Sequence, residues 1–166
     1  MKELDAMVLR RIVTEIQDEL GKLNQLFQEW ESHRFLEWTD KFFLRSKASV
    51  LHDFYCGVEN IFKRIAPALN GGLPDGPVWH KELLYHMSLA IPQVRPAVVS
   101  KETAVLLDEF LDFRHKFRHI YGFDLDFTKM DAVERIYPET QQKFYKDIMK
   151  FLDFLNNLIA EFEKKR

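Results

Sequence analysis

One cysteine, Cys56, stands among 166 residues, so an intrachain disulfide is excluded and no cysteine-based metal site is on offer. It lies in an apolar helical stretch, where a small buried side chain is expected rather than a nucleophile. Glycine and proline are scarce as well, six of each. They cluster, which predicts long helices joined by few loops. The densest turn-forming stretch is NGGLPDGPV, residues Asn70 to Val78. No strand pattern leads into it and no GK[ST] follows, so it is not a phosphate loop. Alternating strand patterns, internal repeats and low-complexity tracts are missing too. The net charge of −2 does not mark a nucleic-acid binder, and only a local basic patch would serve that role. No apolar run approaches the ~20 residues that cross a bilayer. The opening MKELDAMVLRRIV is charged from the start and lacks a secretory apolar region. A soluble cytoplasmic protein is the expectation.

What the chain does have is apolar residues at helical spacing. A hydrophobic content of 46%, with 15 phenylalanines, is ample for one core, and this length fits a single domain. Val8, Ile12, Ile16, Leu20, Leu23, Phe27 and Trp30 recur at steps of three and four, predicting a helix over Leu4–Trp30. A second helix is expected over Leu36–Leu69, interrupted near Arg45–Ser49. Its inward stripe is Leu51, Phe54, Val58, Ile61, Ile65 and Leu69, with Pro67 loosening its last turn. Trp79–Ala90 reads as a short third helix. Ser100 is placed to cap a fourth that runs to Tyr121. GFDLDFTKMDAVERIYP reads as an irregular connector with a helical turn near Lys129–Arg135. Pro138 then suits the first turn of a fifth helix carrying Phe144, Ile148, Phe151, Leu155, Leu158 and Phe162. The predicted architecture is all-α: an up-and-down bundle of four long helices plus a shorter one.

The fourth helix carries the chemistry. FRHKFRHIYG, from Phe113 to Gly122, interleaves six polar residues with Phe113, Phe117 and Ile120. At roughly 100° per residue, Leu106, Phe110, Phe113, Phe117 and Ile120 share a narrow sector expected to face the core. Arg114, Arg118 and Tyr121 flank that sector, and His115 and His119 lie nearly opposite. On this reading two imidazoles and two guanidiniums point away from the hydrophobic interior. A plain helix end explains part of the pattern. Cations in a last turn complement the macrodipole by about 0.3–1 kcal/mol each, and Gly122 sits where a left-handed cap ends a helix.

The order Arg114, four residues, His119, one residue, Tyr121 resembles the R-x4-H-x-Y motif of the HEPN superfamily, in particular the HepT ribonuclease toxins. His115, polar and directly after the arginine, fits the same pattern. DFYCGVENIFKRIA (Asp53–Ala66), WHKELL (Trp79–Leu84) and YGFDLD (Tyr121–Asp126) also look like the HepT-like subgroup. The likeness runs from about Asp53 to the C-terminus.

The resemblance implies the HEPN fold and a metal-independent endoribonuclease, a homodimer without cofactor. It implies catalytic roles for Arg114 and His119, with His115, Lys116 and Arg118 supporting or holding substrate phosphates. It further implies a type VII toxin–antitoxin system in which a minimal nucleotidyltransferase, the MNT antitoxin, adenylylates Tyr121. Two other functions fit a helical bundle of this kind. One is a HEPN module that binds RNA or nucleotide without cleaving. The other is an adaptor that docks a partner protein. Glu59 and Asn60, polar residues in an apolar helix, are expected to hydrogen-bond structurally. His80, Lys81 and His86 are expected to be solvated.

Overall fold

The computed structural model describes residues 4–36, 40–119, 121 and 124–164. They form five helices and no strand: α1 (Ala6–His33), α2 (Lys41–Leu69), α3 (Trp79–Met87), α4 (Lys101–His119) and α5 (Phe127–Lys164). The predicted all-α bundle is what the chain adopts. None of the described helices is long and apolar enough to cross a membrane.

The four long helices run antiparallel to their neighbours, as their cross-links show. Asn24 meets Gln141 and Trp30 meets Glu134 between α1 and α5. Asn60 meets Glu19 between α2 and α1, while Thr103 meets Asp147 between α4 and α5. α2 packs on α4 with Phe54 against Phe110, ring centres 4.9 Å apart. α3 fills the gap beside α2 and α4. The inward stripes follow the sequence spacing. Ile12, Ile16, Leu20, Leu23 and Trp30 of α1 are buried, as are all six named positions of α2. On α5, Phe144, Ile148, Phe151 and Leu155 are buried, and Leu158 and Phe162 pack on the edge.

Several bounds differ from expectation: α1 runs on to His33 and α3 stops at Met87, short of Ala90. α2 begins at Lys41, not Leu36, because the Asp40 carboxylate accepts the Phe42 N–H at 3.1 Å. Residues 37–39 lie outside the described residues. α2 is continuous through Arg45–Ser49. The largest change is in α5, which starts eleven residues before Pro138 and carries the proline inside it. The Asp126 carboxylate accepts from the N–H groups of Thr128 and Lys129, at 3.1 and 3.2 Å, and opens the helix. An internal proline costs about 3 kcal/mol. Met130, Val133 and Tyr137 are buried before the proline, and each such side chain contributes about 1.5–3 kcal/mol. Packing wins, and what reads as a connector is helix.

α4 is fixed at its start by a residue from another helix. Ser100 Oγ accepts from the Thr103 N–H at 3.1 Å, as a capping serine does. Asp147 of α5 then accepts from the Ser100 N–H (2.8 Å) and from the Thr103 hydroxyl (2.6 Å). This carboxylate sits at the positive end of the helix and sets the height of α4 against α5. Replacing Asp147 with Ala should cost about 1–2 kcal/mol, in the range of a lost helix cap. Urea unfolding measures it, and an unchanged midpoint would show that the contact contributes nothing.

Candidate functional site

α4 buries Thr103, Leu107, Phe110 and Arg114, residues that follow one another at steps of four, three and four. The inward face therefore includes Arg114, and the expectation that it points out with Arg118 is corrected. The reason is that α4 packs against α2, α3 and α5 together. A helix covered on several sides buries a broad arc rather than a narrow stripe. Leu106 and Phe117 are only half-buried on the margin of that arc, and Phe117 lies beside the His52 ring at 5.1 Å. Ile120 and Gly122, assigned to the core face and the cap, lie outside the described residues.

Arg114 is 7% exposed. Its Nε–H donates to Cys56 Sγ at 3.3 Å, and its Nη2 lies 3.5 Å from Glu59 Oε1. Both partners come from α2, one turn apart. Glu59 is 1% exposed and is shared further. Lys63 Nζ reaches the same oxygen at 3.1 Å, and His80 Nδ1 of α3 meets Oε2 at 2.5 Å. One carboxylate thus answers a guanidinium, an ammonium and an imidazole. A buried charge is tolerated only when paired and hydrogen-bonded. Burial, reinforced by Glu59, holds the neighbouring Tyr55 phenol protonated well above its usual range.

Of the two polar residues expected to be structural, Glu59 faces the motif. Asn60 faces α1 and donates to Glu19 at 3.2 Å. Cys56 is half-buried and serves as an acceptor, with the ring nitrogens of His52 3.7 and 3.8 Å from its sulfur. His80 and Lys81, expected to be solvated, are both engaged. Lys81 lies 3.2 Å from Asp112 and 3.7 Å from Asp108, and these carboxylates raise its pKa.

The remaining motif residues are exposed: His115, Lys116, Arg118, His119 and Tyr121. The His115 and His119 rings meet edge-on with centres 4.9 Å apart. Tyr121 is 73% exposed. Among the described residues no hydrogen bond joins Arg114 to His119. The arginine turns to α2, while the two exposed histidines continue a row of exposed Val105 and half-buried Asp108 and Asp112. Among the described residues no three His, Cys, Asp or Glu side chains gather as a metal ion would require.

The Glu59–Arg114 pair generates a test. Glu59→Ala leaves a guanidinium buried beside no carboxylate and should cost about 3–5 kcal/mol. Adding Arg114→Met removes the orphaned charge and should recover most of that loss. Chemical denaturation of the two single variants and the double variant measures the coupling. Additive losses would mean that the two side chains do not sense each other.

A family model described as HepT-like protein matches residues 46–155. The match spans the whole of α3 and α4, with Cys56, Glu59, His80, Arg114, His119 and Tyr121 inside it. No curated protein and no solved structure matches the chain. The bundle, the motif order on α4 and the extent of the family match agree: this chain belongs to the HepT-like protein family.

Proposed function

We propose that the chain is an endoribonuclease toxin of the HEPN type, acting through Arg114 and His119 at a cleft between two copies. The observation that carries this reading is Arg114 itself. A guanidinium is held at the α2–α4 seam by a buried carboxylate, with two exposed imidazoles on the next row of the same helix.

The chemistry needs few parts. His119 takes the proton of a ribose 2′-hydroxyl, and the resulting oxyanion attacks the adjacent phosphorus. The bond to the 5′-oxygen breaks, leaving a 2′,3′-cyclic phosphate, and the departing 5′-oxygen takes a proton from the second imidazole, His115, to become a hydroxyl. The guanidinium keeps its charge at any working pH and neutralises the extra negative charge on the phosphorane. His115 shares the proton transfer, and Lys116 and Arg118 hold flanking phosphates.

A second copy supplies what one chain leaves open. His115 and His119 stand in solvent, and a proton-transfer site works best when walled from water. That row of α4 carries the half-buried Asp108 and Asp112, both beside Lys81, towards its start and the exposed His115 and His119 towards its end, with Lys116 and Arg118 exposed on either side. An antiparallel two-fold pairing sets each acidic half against the other copy's basic half. Val105 (69% exposed) and Tyr85 (61% exposed) add apolar surface beside that row.

Tyr121 then has a regulatory role. A nucleotidyltransferase partner would direct its hydroxyl onto the α-phosphorus of ATP, releasing pyrophosphate and leaving AMP on the ring. The added negative charge would fall beside the basic last turn of α4 and compete with RNA phosphate. The burial of Arg114 favours one rival reading, a HEPN module that binds RNA without cleaving.

Purified native protein should cut RNA, and Arg114→Ala and His119→Ala should each lose about 10²–10⁴-fold in rate. Light scattering should report a dimer for all three. Equal RNA binding with cleavage by none of them would establish the binding module instead. With ATP and the cognate nucleotidyltransferase, mass spectrometry should find added AMP on the peptide containing Tyr121 and none in Tyr121→Phe. An unmodified Tyr121 peptide would end the adenylylation proposal.

A further inference from the structure

α3 is nine residues long and packs beside α2 and α4, and its first turn reaches Glu59, the most buried charged residue among the described residues. His80 is half-buried, and its Nδ1 meets Glu59 Oε2 at 2.5 Å. A carboxylate accepts, so the ring donates from Nδ1. The other face of the contact is built as well. Trp79 stacks on His80 with ring centres 3.6 Å apart, and Lys63 lies over the Trp79 ring at 5.2 Å. Lys81 ties the same turn of α3 to Asp108 and Asp112 of α4. The His80 ring is therefore held by Glu59 of α2 and Trp79 of α3, on a turn that Lys81 ties to α4.

The two carboxylate oxygens of Glu59 have different work. Oε1 takes Arg114 and Lys63, and Oε2 takes His80. A carboxylate can rotate about its last bond, a broad and soft torsion. A donor fixed at Oε2 stops that rotation and holds Oε1 towards the guanidinium. Without it the carboxylate is free to turn to Lys63, whose longer stem follows it at little cost. Arg114 Nη2 already lies at 3.5 Å, longer than an ordinary charge-assisted hydrogen bond, so it has little to spare.

We propose that His80 is a positioning residue, which through Glu59 sets the plane of the Arg114 guanidinium. The inference rests on the ribonuclease reading for its catalytic consequence but not for its geometry, so two measurements separate them. The first needs no activity. The Arg114 Nε–H donates to Cys56 Sγ inside the protein, so it should give a slowly exchanging nitrogen–proton NMR signal, identified by its absence in Arg114→Lys. His80→Phe keeps a ring for Trp79 but removes the donor. It should speed that exchange about ten- to a hundredfold, as expected for a guanidinium no longer locked. His80→Asn places an amide donor where Nδ1 stood and should restore the signal.

The second measurement is RNA cleavage. His80→Phe should lower kcat about ten- to a hundredfold with KM little changed, the pattern of a misplaced group. His80→Asn should recover most of it, and both variants should melt within about 4 °C of the native protein. An Arg114 signal indifferent to His80→Phe overturns the proposal, as does an Asn variant no better than Phe. So does a native enzyme whose kcat ignores a displaced signal. If the native protein cuts no RNA while the signal responds and returns, the ribonuclease reading falls and the positioning of Arg114 by His80 stands.

Discussion

A carboxylate taken out of water must be answered by positive charge, and Glu59 at 1% exposure is answered from three helices. Stripping an ion of its water costs several kcal/mol in a real protein. Lys63 alone, one turn away on the same helix, is half in solvent and would repay only part of that. The balance comes from Arg114 on α4 and His80 on α3, and both helices must lie where their side chains reach. Hydrophobic packing decides that a bundle forms. This charge cluster adds to the packing of α4 on α2, α3 and α5 and ties α3 to the same buried carboxylate.

The rotation of α4 about its own axis matters because it divides the motif. Turning Arg114 inward leaves His115 and His119 exposed, about a third of a turn and more away. An arginine displayed at the surface would keep its rotamers and bind phosphate without orientation. One tied through Nε and Nη2 has lost most of that freedom in the folded protein. The entropy of ordering it is met during folding, at the expense of burying charge. Asp147 and the Ser100 cap act at the far end of α4, fixing its height against α5.

The sequence states the helices more clearly than their contacts. Six evenly spaced apolar residues in α2 are buried as their spacing implies, because a wide stripe outweighs any single residue. Proline and glycine mislead at Pro138, where a general rule about breakers competes with Met130, Val133 and Tyr137 and loses. The Asp126 cap that opens α5 is not read from the sequence, where the stretch passes for a connector. Arg114 illustrates a different obstacle. A helical wheel assigns polar residues outward unless a partner is known, and its partner lies 55 positions earlier on another helix. Glu59 and His80 have no local pattern linking them. The clue in the sequence was Glu59 alone, a charge set between Val58 and Ile61 in an apolar run.

The row of α4 that carries His115 and His119 bears on how two copies would meet in the dimer proposed above. One face holds the arginine with its charge partly spent on Glu59, and another holds the exposed histidines. Neither face by itself both binds a phosphate and shelters a proton transfer. In the dimer proposed above, a two-fold axis perpendicular to α4 would lay the Asp108–Asp112 half of one row over the histidines of the other and cover both. The acidic start and basic end of that row are what antiparallel self-pairing requires, and parallel stacking would set like charges together. A row so polarised also repels a second copy arriving in the wrong sense, so the charge order on α4 constrains orientation before any apolar surface is buried.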